Sequence, residues 1–203
     1  MKYLIAGLGN IGEDYKDTRH NMGFIVLDAL AEASNTPFSD MRYGSVAEIR
    51  YKARTFVLLK PSTYMNLSGN AVRYWLKKKN VPVENLLVIV DDISLPFGSF
   101  RMRASGGPGG HNGLAHIMSV IGTDNFARIR IGIGNSFPAG LQSNYVLSKL
   151  TPSEMEFLKG RIKIIKEMIM SFGTIGTELT MTRYNKEGKN LPPEDDIRKQ
   201  HTN

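Results

Sequence analysis

Short β-branched runs alternate with longer stretches of helical periodicity along most of the chain, and this alternation restricts it to an α/β layer structure. Strands are predicted at 3–7, 45–50, 55–60, 86–90, 99–103 and 127–133, and helices at 21–33, 67–79, 113–121 and 152–172. The last helix carries an apolar stripe at Met155, Leu158, Ile162, Ile165 and Ile169, spaced to bury one face. A short polar connection at 51–54 makes the second and third strands an antiparallel hairpin, so the sheet is mixed, and helices are expected on both of its faces. With 203 residues, 41% of them hydrophobic, the chain is long enough for one core without disulfides or metals. One globular domain is expected at 1–184. The stretch 185–203 is rich in Lys, Asp, Glu and Pro with little to bury, and reads as a flexible polar tail.

Composition excludes several kinds of chemistry. There is no cysteine, hence no disulfide, no thiolate metal ligand and no cysteine nucleophile, in keeping with a cytoplasmic address. No apolar run is long enough to cross a bilayer. The 26 Lys and Arg against 19 Asp and Glu leave a formal net charge of +7, which favours a polyanionic partner.

Gly7-Leu8-Gly9-Asn10-Ile11-Gly12 follows a strand and matches the spacing of a dinucleotide-binding loop. That motif needs an amphipathic helix starting at its last glycine, and 13–20 has no apolar period. Asp28, the acidic residue nearest the expected distance, falls inside the 21–33 helical pattern rather than at a strand end. The glycines are read instead as an abrupt end to the strand that projects Asn10 and His20 over the sheet edge. The alternative is an ordinary connection in which His20 and Asn21 only cap the helix. Three further loops, 61–66, 91–96 and 105–113, concentrate polar residues at strand ends or helix starts, where open α/β sheets bind ligands. They can bring His20, Asn66 and Asp91 together. Taken singly, Asn66 also suits a helix cap and Asp91 a turn.

Five blocks carry a family resemblance: Gly-Leu-Gly-Asn at 7–10, Thr-Arg-His-Asn at 18–21, Pro-Ser-Thr-Tyr-Met-Asn-Leu-Ser-Gly at 61–69, Gly-Gly-His-Asn-Gly-Leu at 109–114, and Arg-Ile-Arg-Ile-Gly-Ile-Gly at 128–134. In this order and spacing the chain resembles the bacterial-type peptidyl-tRNA hydrolases, from Tyr3 to about Tyr184. The resemblance implies a cofactor-free enzyme without a metal, cutting the ester between a peptide and the 3′ end of tRNA. It places the catalytic histidine at His20 and its partner aspartate at Asp91. Asn10, Tyr15, Met65, Asn66 and Asn112 fall among its substrate-binding positions. A monomer is expected, with peptidyl-tRNA as partner and neither DNA nor a membrane. Two positions depart from the family: Ile11 replaces a usual proline, and Ser94 replaces a frequent second aspartate.

Ester hydrolysis needs a water, a base to take its proton, and donors for the developing oxyanion. His20 is read as the base, with Asp91 holding its tautomer and three asparagines as positioning or oxyanion groups. His111 is a rival base, and the resemblance rather than the spacing favours His20. Arg101 and Arg103 lie two apart on a strand and point to one face, where they suit tRNA phosphates or a solvated strand surface. Lys77, Lys78 and Lys79 suit a helix C-terminus and rank below them. No His-rich or carboxylate-rich cluster shows metal spacing. RNA binding without catalysis and nucleotide-dependent redox chemistry are the rival functions.

Overall fold

The computed structural model describes residues 1–191. Seven strands form one mixed sheet: β1 (Lys2–Gly7), β2 (Ser39–Met41), β3 (Gly44–Tyr51), β4 (Arg54–Pro61), β5 (Leu86–Asp92), β6 (Phe100–Arg103) and β7 (Ala127–Gly132), in the order β2-β3-β4-β1-β5-β7-β6. The four central strands are mutually parallel, and their apolar runs are buried on both faces, as in Leu86–Asp92, where every residue is buried. Antiparallel pairs flank them, β3 with β4 and β6 with β7. Lys52 and Ala53 close the β3–β4 hairpin with positive φ at both residues, the backbone a two-residue turn needs to match the strands' twist.

Helices α1 (Met22–Ala33), α5 (Pro152–Ile175) and α6 (Thr177–Lys189) cover one face, around Ile5, Phe56, Ile89 and Ile129. Helices α2 (Ser68–Lys79) and α3 (Asn112–Ile121) cover the other, around Leu4, Val57, Val88 and Trp75. A short helix, α4 (Gln142–Val146), joins β7 to α5. The expected α/β sheet with helices on both faces is therefore present. Because β1, β4, β5 and β7 run parallel, the loops that follow them all leave from one edge, and that edge holds the site.

No helix begins at Gly12; a 3-10 turn at Glu13–Tyr15 follows, then another at Arg19–Asn21 before α1. Gly7 instead lets α1 lie against the end of β1, since a Cβ there would stand 2.3 Å from the Gly23 carbonyl oxygen. The tail expected from Asn185 is corrected. Helix α6 runs to Lys189, the Asn185 side chain bridges the backbone N–H and carbonyl of Met102 on edge strand β6, and Gly188 packs against Phe100. A polar sequence folds here because its partner is backbone, not apolar surface. The remainder of the expected tail, 192–203, lies outside the described residues.

Candidate active site

Asp91 is the penultimate residue of the buried strand β5, and two imidazoles converge on its carboxylate. His20, in the 3-10 turn that precedes α1, places Nδ1 2.9 and 3.0 Å from the two carboxylate oxygens, and His111 places Nε2 3.1 Å from one of them. Burial alone would raise the Asp91 pKa; the charge of His111 and hydrogen bonds from His111 and His20 outweigh it and hold the carboxyl below the usual carboxylate range.

The neighbours of His111 distinguish the hydrogen bonding of the two rings. His111 is the N-cap of α3, and its Nδ1 accepts from the Leu114 backbone N–H at 3.2 Å. Nε2 must then carry the proton that points at Asp91. Both nitrogens of His111 are thus committed. His20 donates Nδ1–H to the same carboxylate, which leaves its Nε2 lone pair without a partner among the described residues, on a side chain that is 15% exposed. Of these two rings, only His20 has a nitrogen without a hydrogen-bond partner among the described residues.

The ligand atoms of His20, Asp91 and His111 lie within 4.8 Å of one another, a cluster that the sequence spacing did not suggest. A metal would need the His111 Nε2 lone pair, which is available only if Nδ1 carries the proton, and that proton would oppose the Leu114 N–H. The arrangement fits hydrogen bonding rather than metal ligation.

A cavity of about 90 Å³ opens above the two histidines, lined also by Asn112 and by Gln142, Ser143 and Val146 of α4. Asn112 therefore joins the His20 group. Met65 is buried beneath the start of α3, its Sδ 2.6 Å from where a Cβ on Gly113 would stand. Asn66 is exposed in the Met65–Leu67 turn and is not the cap of α2, a position held by Leu67. Asn10 lines a separate groove of about 640 Å³ beside α1, together with Ile11. Tyr15 is 37% exposed and lines neither cavity.

Other residues emerge only in three dimensions. Asn21 makes no cap; its amide clamps the Asn10 backbone, Oδ1 accepting from Asn10 N–H at 2.7 Å and Nδ2 donating to the Asn10 carbonyl at 2.9 Å. This fixes the loop that carries Asn10 directly to the residue after His20. Arg19, before His20, makes a two-pronged ion pair with Glu154 at 2.9 and 3.1 Å, and its guanidinium lies 4.8 Å from the Tyr145 ring centre. Ser94 donates both its N–H and Oγ–H to Asp92, whose other oxygen faces Arg130 Nε at 2.8 Å.

On the β6–β7 ladder Arg101 lies opposite Arg130 and Arg103 opposite Arg128. Phe100 and Met102 point into the α5–α6 core, so the arginines share the other face. Arg128 is buried under the glycine-rich loop, over the Phe126 ring and hydrogen-bonded to the carbonyls of Gly106 and Asp124, and burial pushes its pKa down to about 10. Gly109 is required above Arg130, where a Cβ would meet its guanidinium.

The family model for peptidyl-tRNA hydrolase matches residues 4–192. The chain belongs to the peptidyl-tRNA hydrolase family. The peptidyl-tRNA hydrolase of Phocaeicola vulgatus is 54% identical over 187 residues, covering 92% of this chain and all of that one. That of Porphyromonas gingivalis is 51% identical over 185 residues, covering 91% of this chain and all of that one. The crystal structure of the Acinetobacter baumannii peptidyl-tRNA hydrolase superposes with a TM-score of 0.84 at 32% identity, over 90% of this chain and 94% of that one. Membership of the family makes this chain a hydrolase, and its family match extends through α6, past the end at about Tyr184 that the motifs suggested.

Proposed function

We propose that the chain hydrolyses the ester between a peptide and the 3′ end of tRNA by general-base catalysis, with His20 as the base and Asp91 as its orienting partner. The observation that carries this reading is the unequal state of the two histidines: His111 has both nitrogens engaged, whereas His20 keeps a lone pair at Nε2. Nε2 takes a proton from water as the oxygen attacks the ester carbonyl. Asp91 stabilises the imidazolium, which then returns the proton to the departing 3′ oxygen. Atoms balance with water alone, and no covalent enzyme intermediate forms.

Asn112 at the cavity mouth and Asn66 on the neighbouring turn supply amides to carbonyl or oxyanion, while Asn10, held by Asn21, positions the substrate from the adjoining groove. Met65 gives the floor and Tyr15 a more distant contact. Arg101 and Arg103 contact tRNA phosphates. In support, Arg101 is half-buried and Arg103 exposed on the face turned away from the α5–α6 core, and neither makes an ion pair with a carboxylate among the described residues.

The test is release of free tRNA from an N-blocked aminoacyl-tRNA by the purified chain, with and without chelator. Wild-type cleavage should be unchanged by chelation. His20→Ala should bind tRNA with near wild-type affinity and cleave about 10²- to 10⁴-fold more slowly. Cleavage restored only by added metal, or a His20→Ala variant with wild-type turnover, would overturn the mechanism.

A further inference from the structure

The two faces of the sheet differ sharply in charge. Helices α1, α5 and α6 on one face carry Asp28, Glu32, Glu154, Glu156, Glu167, Glu178 and Glu187, whereas α2 and α3 on the other carry no carboxylate. The same holds for the chain around them, since neither 49–83 nor 93–122 contains an Asp or Glu. Arg101 and Arg103 share that acid-poor face.

At its far end, beyond α2, lies a concavity of about 530 Å³ lined by Arg42, Tyr43, Asn70, Arg73, Tyr74 and Lys77. Arg42 occupies the β2–β3 turn, and that turn is anchored: the buried Trp75 donates its indole N–H to the Arg42 carbonyl at 3.0 Å, and Ser62 N–H donates to the Tyr43 carbonyl at 3.0 Å. The Arg42 guanidinium lies 5.0 Å from the Tyr43 ring centre and 5.4 Å from that of Tyr74, and the two rings meet edge to face at 5.3 Å. Aromatic rings therefore orient this cation without neutralising it. None of Arg42, Arg73 and Lys77 pairs with a carboxylate among the described residues, unlike Lys79 with Glu48 at 2.5 Å.

Asn66, Asn70, Arg73, Tyr74 and Lys77 recur at helical spacing, so one polar stripe starts at the exposed Met65–Leu67 turn and runs about 16 Å along α2 to the concavity. We propose that this concavity is a second RNA-binding site, at which Arg42, Arg73 and Lys77 bind backbone phosphates of the substrate's tRNA at a distance from its 3′ terminal nucleotide. Asn70 supplies an amide for a sugar or phosphate oxygen, and the tyrosines keep the Arg42 fork facing outward. The inference rests on the proposed reading of the cleft as the binding site for the tRNA 3′ end. It makes the acid-poor face a path for the RNA, with Arg101 and Arg103 at one end and the α2 cluster at the other.

The experiment compares two substrates carrying the same uncharged N-blocked aminoacyl ester, one on full-length tRNA and one on a trinucleotide that ends in the same 3′ nucleotide. For the variant combining Arg42→Ala, Arg73→Ala and Lys77→Ala, KM for the full-length substrate should rise about 5- to 20-fold with kcat unchanged, and cleavage of the trinucleotide ester should match wild type. The log affinity versus log salt slope for deacylated tRNA should flatten by roughly 0.7–0.9 for each phosphate that the variant no longer neutralises. Arg73→Glu alone should act in the same direction, while Lys163→Glu, exposed on the opposite face, should leave KM near wild type. An unchanged KM and salt slope in the triple variant would overturn the proposal, and so would an equal drop in cleavage of the trinucleotide ester. Failure of the wild-type chain to cleave either ester would instead refute the reading of the cleft, and the salt series on deacylated tRNA would still test the α2 site.

Discussion

At the scale of single residues, the site turns on one carboxylate shared by two imidazoles. Asp91 accepts from His20 and from His111 while buried, so its ionised form is strongly favoured in the folded chain. In the unfolded chain it titrates near the ordinary value of about 3.9. As pH falls, the unfolded state takes up this proton first. The stability that Asp91 contributes is therefore complete at neutral pH, begins to be lost as pH approaches about 4, and disappears as pH falls through the lower folded pKa. Asp91→Asn should lower turnover by about 10²- to 10⁴-fold, because an amide can accept from one imidazole only by offering N–H to the other. It should also be less stable than wild type at neutral pH, with the gap closing in urea titrations run from pH 7 down to pH 3. A gap that stays constant over that range would mean the carboxylate charge contributes nothing to the fold. The meeting of His20 with Asp91 was legible because their blocks keep family order and spacing. The difference in hydrogen bonding between His20 and His111 was not, since it depends on an N–H that α3 aims at His111 Nδ1.

At the scale of elements, the turn that carries His20 is held from outside. Arg19 N–H donates to the Ser148 carbonyl, Leu150 N–H donates to the Asp17 carbonyl, and Arg19 bonds Glu154 with both arms. Glu154 also completes the capping box of α5 by accepting from Thr151 N–H at 2.8 Å while its own N–H donates to Thr151 Oγ1. One carboxylate thus starts a 24-residue helix and braces the turn that carries His20. Glu154→Ala should destabilise the fold by about 1–3 kcal/mol in thermal unfolding and lower kcat with little change in KM. Glu154→Gln, which retains an acceptor for Thr151, should recover part of the stability. A stability loss with wild-type single-turnover cleavage would show that His20 keeps its place without Arg19. The elements read correctly from sequence are those whose signal is their own: the apolar runs of the central strands and the stripe of α5. Two of the elements missed, β2 with three exposed residues and α4 with none buried, have no periodic apolar face to read.

At the scale of the whole molecule, helix α6 shows why the chain's end was misread. Of its 13 residues only Thr180, Tyr184 and Gly188 are buried, so no apolar stripe marks it. Its order comes from partners far away in sequence. Arg161 of α5 is itself buried, and donates Nε–H to the Gly98 carbonyl at 2.9 Å, Nη2 to the carbonyls of Glu187 and Gly188 at 3.0 and 3.1 Å, and Nη1 to that of Asn190 at 3.2 Å. A fixed cation thereby satisfies the free carbonyls at the helix's negative end, where such a charge is favourable. Asn185 meanwhile pairs with both polar groups of Met102, closing an edge of the sheet that would otherwise expose them. Removing 185–191 should therefore do more than shorten a tail. It strips Arg161 of three of its four carbonyl acceptors, leaves a partly desolvated guanidinium with the Gly98 carbonyl alone of the four, and uncovers β6. A chain ending at Tyr184 should be less stable than one ending at Leu191 by about 3–5 kcal/mol, the usual cost of removing the partners of a buried charge. Urea unfolding of the two truncated chains measures the difference, and Arg161→Met should narrow it by removing the stranded charge. If both chains unfold at the same urea concentration, the hydrogen bonds of Arg161 and Asn185 add nothing to stability and the sheet edge is held by its own ladder with β7.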